Sequence, residues 1–200
     1  KEMGHDPNKE PPFFFQKNPD NVTTSGEMPY PSLTKNLHHE IELVVALKSG
    51  GTDIPAAKAL DHVYGYAVGL DMTRRDLQID MREKKRPWDV GKSFAEAAPI
   101  GPIHPVTAVG HPATGMIWLD VNGTTRQQGD LADLCVHQRR ETIRPFTDRP
   151  GGRQFTSSPF EVSTVERQNG PGPSNGNRLQ RVEIGVAHRD RLVEQTRALV

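Results

Sequence analysis

The sequence predicts an α+β fold: a β-rich mixed sandwich or roll with a few short helices. The runs 39–47 and 63–70 are rich in apolar and β-branched residues, which is typical of buried strands. The run 117–121 alternates apolar and polar residues, and the Asn122-Gly123 pair after it predicts a type I′ hairpin. Because the chain holds 17 prolines and 18 glycines at a hydrophobic share of 34%, long loops are expected elsewhere.

The N-terminal segment is expected to lack regular structure. Residues 1–35 are rich in proline, and the aromatic run Phe13-Phe14-Phe15 is the expected anchor of this loop. Further along, a short helix is predicted from Asp53 to Leu60, because Asp53 and Pro55 are residue types favoured at helix starts.

Two carboxylates, Glu40 and Glu42, stand two residues apart at the start of the first strand run. Side chains on a strand alternate between its faces, so both carboxylates project to the same side. Like charges beside a core repel each other and lose hydration unless a cation lies between them. The pattern leaves two alternatives open, a buried cation site or an exposed edge strand with two solvated acids. For the flanking His38 and His39 we expect packing or supporting roles rather than ligation.

Asp71 ends the second strand run, and a helix is predicted directly after it. Thr73 is the expected N-cap of this helix, which should extend to about Lys84. Arg75 and Gln78 are three residues apart and therefore share one face of the first turn. An Asp at a strand end, beside a helix start that offers Arg and Gln, predicts a site for an anionic ligand.

The segment around Lys92 matches a phosphate-binding loop only in part. Gly91, Lys92 and Ser93 fit the end of that motif, but Arg86 stands where its first glycine is required. A phosphate-loop function is therefore rejected.

Together these motifs resemble the fumarylacetoacetate hydrolase superfamily. The resemblance rests on LHHEIEL at 37–43, GYAVGLDMTRRDLQ at 65–78 and PWDVGKSF at 87–94, in this order and with these gaps. The segments KEMGHD at 1–6 and EPPFFFQK at 10–17 are similar to the lead-in of its acylpyruvate hydrolase branch. The resemblance is collinear to about residue 133, and it implies a lid or arm segment at 1–35 and a catalytic domain at 36–200.

The resemblance also implies site residues, each by its matching position. The metal carboxylates fall on Glu40, Glu42 and Asp71, the substrate-binding residues on Arg75 and Gln78, and the active-site lysine on Lys92. Glu2 matches a glutamate that activates the attacking water together with a histidine, which would fall just ahead of residue 1. Oxygen ligands alone select Mg²⁺ or Mn²⁺ over zinc as the cofactor.

The implied activity is that of a metal-dependent hydrolase that cleaves the carbon–carbon bond of an acylpyruvate. The expected reaction converts fumarylpyruvate to fumarate and pyruvate in gentisate-type degradation of aromatic acids. The metal and the Lys92 ammonium would stabilise the pyruvate enolate, and Glu2 would help to deprotonate water. Two alternatives remain: an oxaloacetate-type 2-oxo acid decarboxylase or ketone–enol isomerase on the same site, and a catalytically impaired relative that binds a metal or small acid.

Charge and composition exclude several kinds of partner. A net charge of zero argues against nucleic acid, and no apolar run approaches the ~18 residues of a membrane span. The single cysteine, Cys135, fits a reducing cytoplasm and is expected to be a buried, inert thiol. The expected partners are a small 2-oxo acid substrate and, on the family resemblance, a second copy of the chain in a homodimer.

Beyond residue 134 the resemblance to the family is poor. All nine lysines precede Ser93, whereas eleven of the sixteen arginines follow Gln138. Ser158 stands where the family has a threonine that contacts substrate, and it keeps the hydroxyl. Two hypotheses account for residues 136–200, true divergence from the family or an error in this part of the sequence.

Overall fold

The structure is a computed structural model that describes residues 14–133 and, beyond them, the backbone of the strands at 160–161, 181–188 and 191–199. Glu2, Phe13, Cys135 and Ser158 lie outside the described residues, so the roles assigned to them stay predictions. No helix in the described part is both long and apolar enough to cross a membrane.

Strands dominate the described chain, and the helices are short. The strands are β1 Val22–Thr23, β2 Leu37–His38, β3 Ile41–Leu47, β4 Val63–Leu70, β5 Thr73–Arg74, β6 Ala98–Pro99, β7 His104–Pro105, β8 Met116–Val121, β9 Thr124–Asp130, β10 Phe160–Glu161, β11 Arg181–His188 and β12 Arg191–Leu199. The α-helices are α1 Arg75–Glu83, α2 Asp89–Lys92 and α3 Val106–Val109, and 3₁₀ helices span Pro19–Asn21, Ala56–His62 and Leu131–Asp133. The predicted α+β class is confirmed.

Two antiparallel four-stranded sheets form the body of the fold. One has the strand order β10-β3-β4-β7 and the other β12-β11-β8-β9. Two smaller pairs, parallel β1-β6 and antiparallel β2-β5, join the loops to this body. One core cluster contains buried side chains from both large sheets: Ile41, Val68 and Leu70 with Ile117, Leu119 and Val121. The alternation predicted for 117–121 is therefore confirmed as a strand with one buried face.

The Asn122-Gly123 turn joins β8 to β9 as predicted. Asn122 has a φ of 52° and Gly123 a φ of 77°, and a type I′ turn requires positive φ at both positions. The helix predicted from Asp53 is instead a 3₁₀ helix that begins at Ala56. Asp53 has a φ of 52°, a left-handed conformation that cannot belong to a right-handed helix.

The predicted start of α1 is wrong by one residue, because Arg74 and not Thr73 directly precedes the helix. Thr73 belongs to β5, where its backbone pairs with His38, and Arg74 precedes the helix without a side-chain cap. The backbone at Thr73 is drawn into a strand pair because β2 lies directly beside it. Thr73 is therefore not an N-cap, and its hydroxyl is available for other contacts.

Asp76, in the first turn of α1, ties the segment before β2 to the helix. Its carboxylate accepts hydrogen bonds from the Thr34 hydroxyl at 2.6 Å and from the backbone amides of Lys35 and Leu77 at 3.0 Å each. Partial burial raises the pKa of Asp76, but these hydrogen bonds outweigh it and hold the pKa below 3.8.

Asp76→Asn is expected to lower the melting temperature at pH 7 by about 2–4 °C, equivalent to roughly 1 kcal/mol. A carboxylate with a lowered folded-state pKa contributes its stability above its unfolded pKa and loses it as the pH falls through the folded pKa. The difference from the unmutated protein should therefore narrow as the pH is lowered past 3.8. Thermal melts from pH 3 to 7 test this, and Asp80→Asn is the control, since Asp80 is a half-exposed carboxylate of the same helix that pairs with the exposed Lys84. An equal difference at every pH would show that the Asp76 charge is not involved.

Candidate metal centre

Three carboxylates converge at one end of the pair β3-β4. The register places Ile41 opposite Leu70, so that Glu40 and Asp71 lie side by side, and the Asp71 amide donates to the Glu40 carbonyl at 2.9 Å. Oxygens of Glu40, Glu42 and Asp71 lie within 4.8 Å of one another, and these residues are only 0%, 2% and 1% exposed. The alternative of an exposed edge strand with solvated acids is wrong, because both glutamates are buried and Glu40 is ion-paired with Lys92 and Arg75.

The carboxylate cluster fits a hard divalent cation. Within the described chain no group hydrogen-bonds to the buried Oε1 of Glu42. Burial raises the pKa of Glu42 well above 4.5, and the charges of Asp71 and Glu40 raise it further. The charges of Lys92 and Lys17 offset this only in part, and a cation bound by oxygen ligands would supply the partner that Oε1 lacks in the described chain.

Lys92 lies against two of these carboxylates. Its ammonium is 2.7 Å from Glu40 Oε2 and 2.5 Å from Asp71 Oδ2, and the residue is fully buried. The short helix α2 delivers it, since Lys92 is the last residue of that helix. The phosphate-loop reading was rejected from the sequence, and Lys92 here pairs with carboxylates.

Arg75 and Gln78 also reach the site, as the sequence predicted. They are the buried side chains of α1 and are hydrogen-bonded to each other. The Arg75 guanidinium also donates to Glu40 Oε1. The predicted residues Glu40, Glu42, Asp71, Arg75, Gln78 and Lys92 are therefore brought together by the fold, whereas Glu2 and Ser158 fall outside the described residues.

Lys17 is a third cation at the site that the sequence analysis missed. Its ammonium lies 2.8 Å from Asp71 Oδ1, and it donates to the carbonyls of Met72 (3.1 Å) and Lys92. Burial lowers the pKa of Lys17, and the nearby Asp71 charge partly offsets that effect. Together with Lys92 and Arg75 it balances the formal charge of the three carboxylates. No spacing rule connects position 17 to position 71, so the sequence carried no signal for this contact.

The N-terminal segment meets the site through Phe15 rather than through the whole aromatic run. The Phe15 ring centroid lies 4.7 Å from the Lys92 ammonium and 6.1 Å from the ring of Trp88. Phe14, in contrast, is 73% exposed. Of the two described members of the predicted anchor, only Phe15 packs, because alternate side chains of an extended segment face opposite sides.

Gln127 of β9 fixes the backbone on both sides of Glu40, and it too was missed. Its side-chain oxygen accepts from the Ile41 amide at 2.8 Å, and its amide nitrogen donates to the His39 carbonyl at 2.9 Å.

The His39 ring is neutral at pH 7. Burial lowers the pKa of His39 to about 4, and the charges of His38 and Arg126 act in the same direction.

Gly91 allows α2 to lie directly on α1. A Cβ atom at Gly91 would stand 3.0 Å from the Gln78 amide nitrogen and 3.1 Å from its Cα and Cβ. Because the next residue is Lys92, this close approach determines where the ammonium lies.

Gly91→Ala is expected to cost about 1–3 kcal/mol of unfolding free energy, as overpacking usually does. Displacement of Lys92 should lower kcat by about 10- to 100-fold. Urea unfolding and steady-state kinetics on the same preparation measure both effects. Gly50→Ala is the matched control, since no atom lies within 4 Å of a Cβ at Gly50. Unchanged kcat in Gly91→Ala would mean that the contact with α1 does not position Lys92.

The fold and the site define a class: a β-rich domain with a buried carboxylate cluster suited to a divalent cation and surrounded by basic side chains. The chain belongs to the fumarylacetoacetate hydrolase family, because residues 1–144 match the family model "Fumarylacetoacetate (FAA) hydrolase C-terminal".

Several known proteins are similar to this chain. Fumarylpyruvate hydrolase of Ralstonia sp is 39% identical over 165 residues, which cover 80% of this chain and 85% of that protein. The crystal structure of fumarylpyruvate hydrolase from Pseudomonas aeruginosa in complex with Mn²⁺ and pyruvate is 43% identical, with a TM-score of 0.65, covering 92% of this chain and 78% of that one. Oxaloacetate tautomerase of Mus musculus is 37% identical over 134 residues, or 67% of this chain and 61% of that protein.

Proposed function

We propose that this hydrolase of the fumarylacetoacetate hydrolase family cleaves the carbon–carbon bond of an acylpyruvate, with fumarylpyruvate as substrate and fumarate and pyruvate as products. The observation that carries the proposal is the buried carboxylate cluster beside the Lys92 ammonium. It is supported by the similarity to two fumarylpyruvate hydrolases, one of which was crystallised with Mn²⁺ and pyruvate.

Glu40, Glu42 and Asp71 would hold the divalent cation, for which we propose Mg²⁺ or Mn²⁺. Carboxylates are the ligands that both ions prefer, and the orphaned Glu42 oxygen fits that role. When bound, the cation would act as a Lewis acid that binds a 2-oxo acid and stabilises negative charge on its oxygens.

The side chains around the cluster would bind and orient the substrate. Arg75 and Gln78 offer N–H donors from α1 to a carboxylate of the substrate, and guanidinium groups suit such anions. Lys92 would donate to the enolate oxygen that gains charge as the carbon–carbon bond breaks. Since the carboxylates and these donors are buried, water competes little for the donors.

Water attack would occur at the acyl carbonyl distal to the pyruvate unit. The new carbon–oxygen bond forms there, and the electron pair of the broken carbon–carbon bond passes to the pyruvate fragment as its enolate. Protonation at carbon then gives pyruvate. We propose Glu2 as the residue that removes the water proton and Ser158 as a further substrate contact, both outside the described residues.

The test is an ultraviolet absorbance assay of fumarylpyruvate and acetylpyruvate, with and without Mg²⁺ or Mn²⁺. We expect fumarylpyruvate to be consumed with one pyruvate formed per molecule, and the activity to disappear in EDTA and return with either metal. Pyruvate can be quantified independently by an enzymatic assay. No turnover of either acylpyruvate in the metal-loaded protein would contradict the proposal.

A second candidate is a tautomerase that interconverts the keto and enol forms of oxaloacetate. The similarity to the oxaloacetate tautomerase of Mus musculus favours it, and this reaction needs no attacking water. The ultraviolet absorbance of the enol would decay faster with enzyme if this activity is present, and no pyruvate would form. The homodimer and the cytoplasmic location stay predictions.

A further inference from the structure

Thr73 places a fully buried hydroxyl beside the Lys92 ammonium. Its Oγ1 lies 2.8 Å from Lys92 Nζ, and the residue is 0% exposed. The same oxygen lies 3.2 Å from the backbone carbonyl of Asp71. This hydroxyl does not cap α1, and the proposed mechanism does not use it.

The directions of these two hydrogen bonds follow from the donor inventory. The Lys92 ammonium can only donate hydrogen bonds, and the backbone carbonyl of Asp71 can only accept them. The single Thr73 proton must therefore point to the Asp71 carbonyl, which leaves the hydroxyl lone pairs to accept from Lys92. Thr73 thus acts as a neutral acceptor of fixed direction.

Within the described chain, Lys92 donates to Glu40, Asp71 and Thr73, and these acceptors differ in what a metal would do to them. Glu40 and Asp71 are proposed metal ligands, so a bound cation would draw on the same carboxylate oxygens that hold the ammonium. The Thr73 hydroxyl is neutral, and a divalent cation prefers the carboxylates beside it. Of these described acceptors, the Thr73 hydroxyl is therefore the one that can still bind the ammonium when both carboxylates bind a metal.

We propose that Thr73 is a positioning residue that anchors the Lys92 ammonium at the site in the metal-loaded protein and directs its other N–H groups toward the anionic oxygen of a bound 2-oxo acid. A lysine side chain has much rotational freedom, and loss of this anchor would let the ammonium leave that direction. The inference rests on the proposed metal and 2-oxo acid site, but not on which acylpyruvate is cleaved.

The test compares Thr73→Val, which has a similar shape without the hydroxyl, and Thr73→Ser, which keeps it. Oxalate, a dianion that resembles the enolate of pyruvate, is the probe, and calorimetry on the Mn²⁺-loaded protein measures its affinity. Paramagnetic resonance titration measures Mn²⁺ affinity without oxalate. We expect Thr73→Val to weaken oxalate binding by about 10- to 100-fold, as loss of an outer hydrogen-bond partner does, and Thr73→Ser to restore it. Mn²⁺ affinity should change far less, and the exposed Thr124→Val serves as the control.

A double-mutant cycle then asks whether Thr73 acts through Lys92. In a Lys92→Met background, adding Thr73→Val should cause no further loss of oxalate affinity. Equal losses in both backgrounds, no rescue by Thr73→Ser, or an equal loss of Mn²⁺ affinity would each overturn the inference. So would a metal-loaded wild-type protein that binds no oxalate. If oxalate binds as expected but no acylpyruvate is cleaved, the proposed function fails and the role of Thr73 stands.

Discussion

Asp71→Ala is expected to lower kcat/KM by at least about 1,000-fold and to weaken Mn²⁺ binding strongly. The substitution removes one of three carboxylates in the cluster, and electrostatic stabilisation by a bound metal is worth several kcal/mol of barrier, or roughly 1,000-fold in rate. Resonance titration with Mn²⁺ and the absorbance assay measure the two effects independently.

The same substitution should also destabilise the metal-free protein. Asp71 accepts from Lys92 at 2.5 Å and pairs with Lys17 at 2.8 Å, so its loss leaves two buried cations with less compensating charge. Breaking a buried ion pair from one side costs about 3–5 kcal/mol. Thermal melts in EDTA should therefore show a much larger effect than exposed-site variants do.

Asp61→Ala is the matched control, because the Asp61 side chain is 67% exposed and pairs only loosely with Lys58 at 3.6 Å. It should leave Mn²⁺ affinity, activity and stability nearly unchanged. If Asp71→Ala bound Mn²⁺ as tightly as the wild-type protein, Asp71 would not be a metal ligand, and the proposed metal centre would be wrong.

Lys92→Met is expected to lower kcat by about 100- to 1,000-fold, which is the usual effect of deleting one donor to a developing oxyanion. Methionine keeps much of the length and the apolar stem of the lysine side chain, so the substitution should leave only a small cavity at position 92. Mn²⁺ affinity should be retained or increase in Lys92→Met, whereas it falls in Asp71→Ala. The Lys92 ammonium lies 2.7 Å from Glu40 Oε2 and 2.5 Å from Asp71 Oδ2, and without it Mn²⁺ no longer competes for these two proposed ligand oxygens.

Steady-state kinetics and Mn²⁺ titration of the same preparations test this combination of lower kcat with retained or tighter metal binding. Lys84→Met controls for loss of a lysine, since Lys84 is an exposed residue of the chain between α1 and α2, paired with Asp80. If Lys92→Met lost metal affinity and activity together, Lys92 would be a structural support of the centre.

Local patterns were enough to predict the strands that carry the site. β4 begins and ends where the apolar run 63–70 predicted, and β3 lies within the run 39–47. The hairpin at Asn122-Gly123 followed from turn chemistry, since few residue pairs accept positive φ twice in succession. The start of α1 did not follow, because pairing of β5 with β2 overrode the capping preference of Thr73.

The sequence by itself determined which residues could bind a hard cation and an anion: two acids at a period of two, an aspartate at a strand end, and an Arg–Gln pair at helical spacing. Whether those acids are buried was left open, because an edge strand and an inner strand have the same side-chain alternation. Only the tertiary structure decided it, by packing Lys92 and Arg75 against Glu40 and Lys17 against Asp71 and burying all three carboxylates.

The tertiary structure also decided which other groups surround the carboxylates. Lys17 reaches Asp71 across 54 positions of sequence, and Gln127 reaches the backbone beside Glu40 across more than 80. Thr73 gained its contact with Lys92 only because β5 and α2 lie side by side. Contacts of this kind depend on how sheets and loops pack in space, and no period of 2 or 3.6 residues records them.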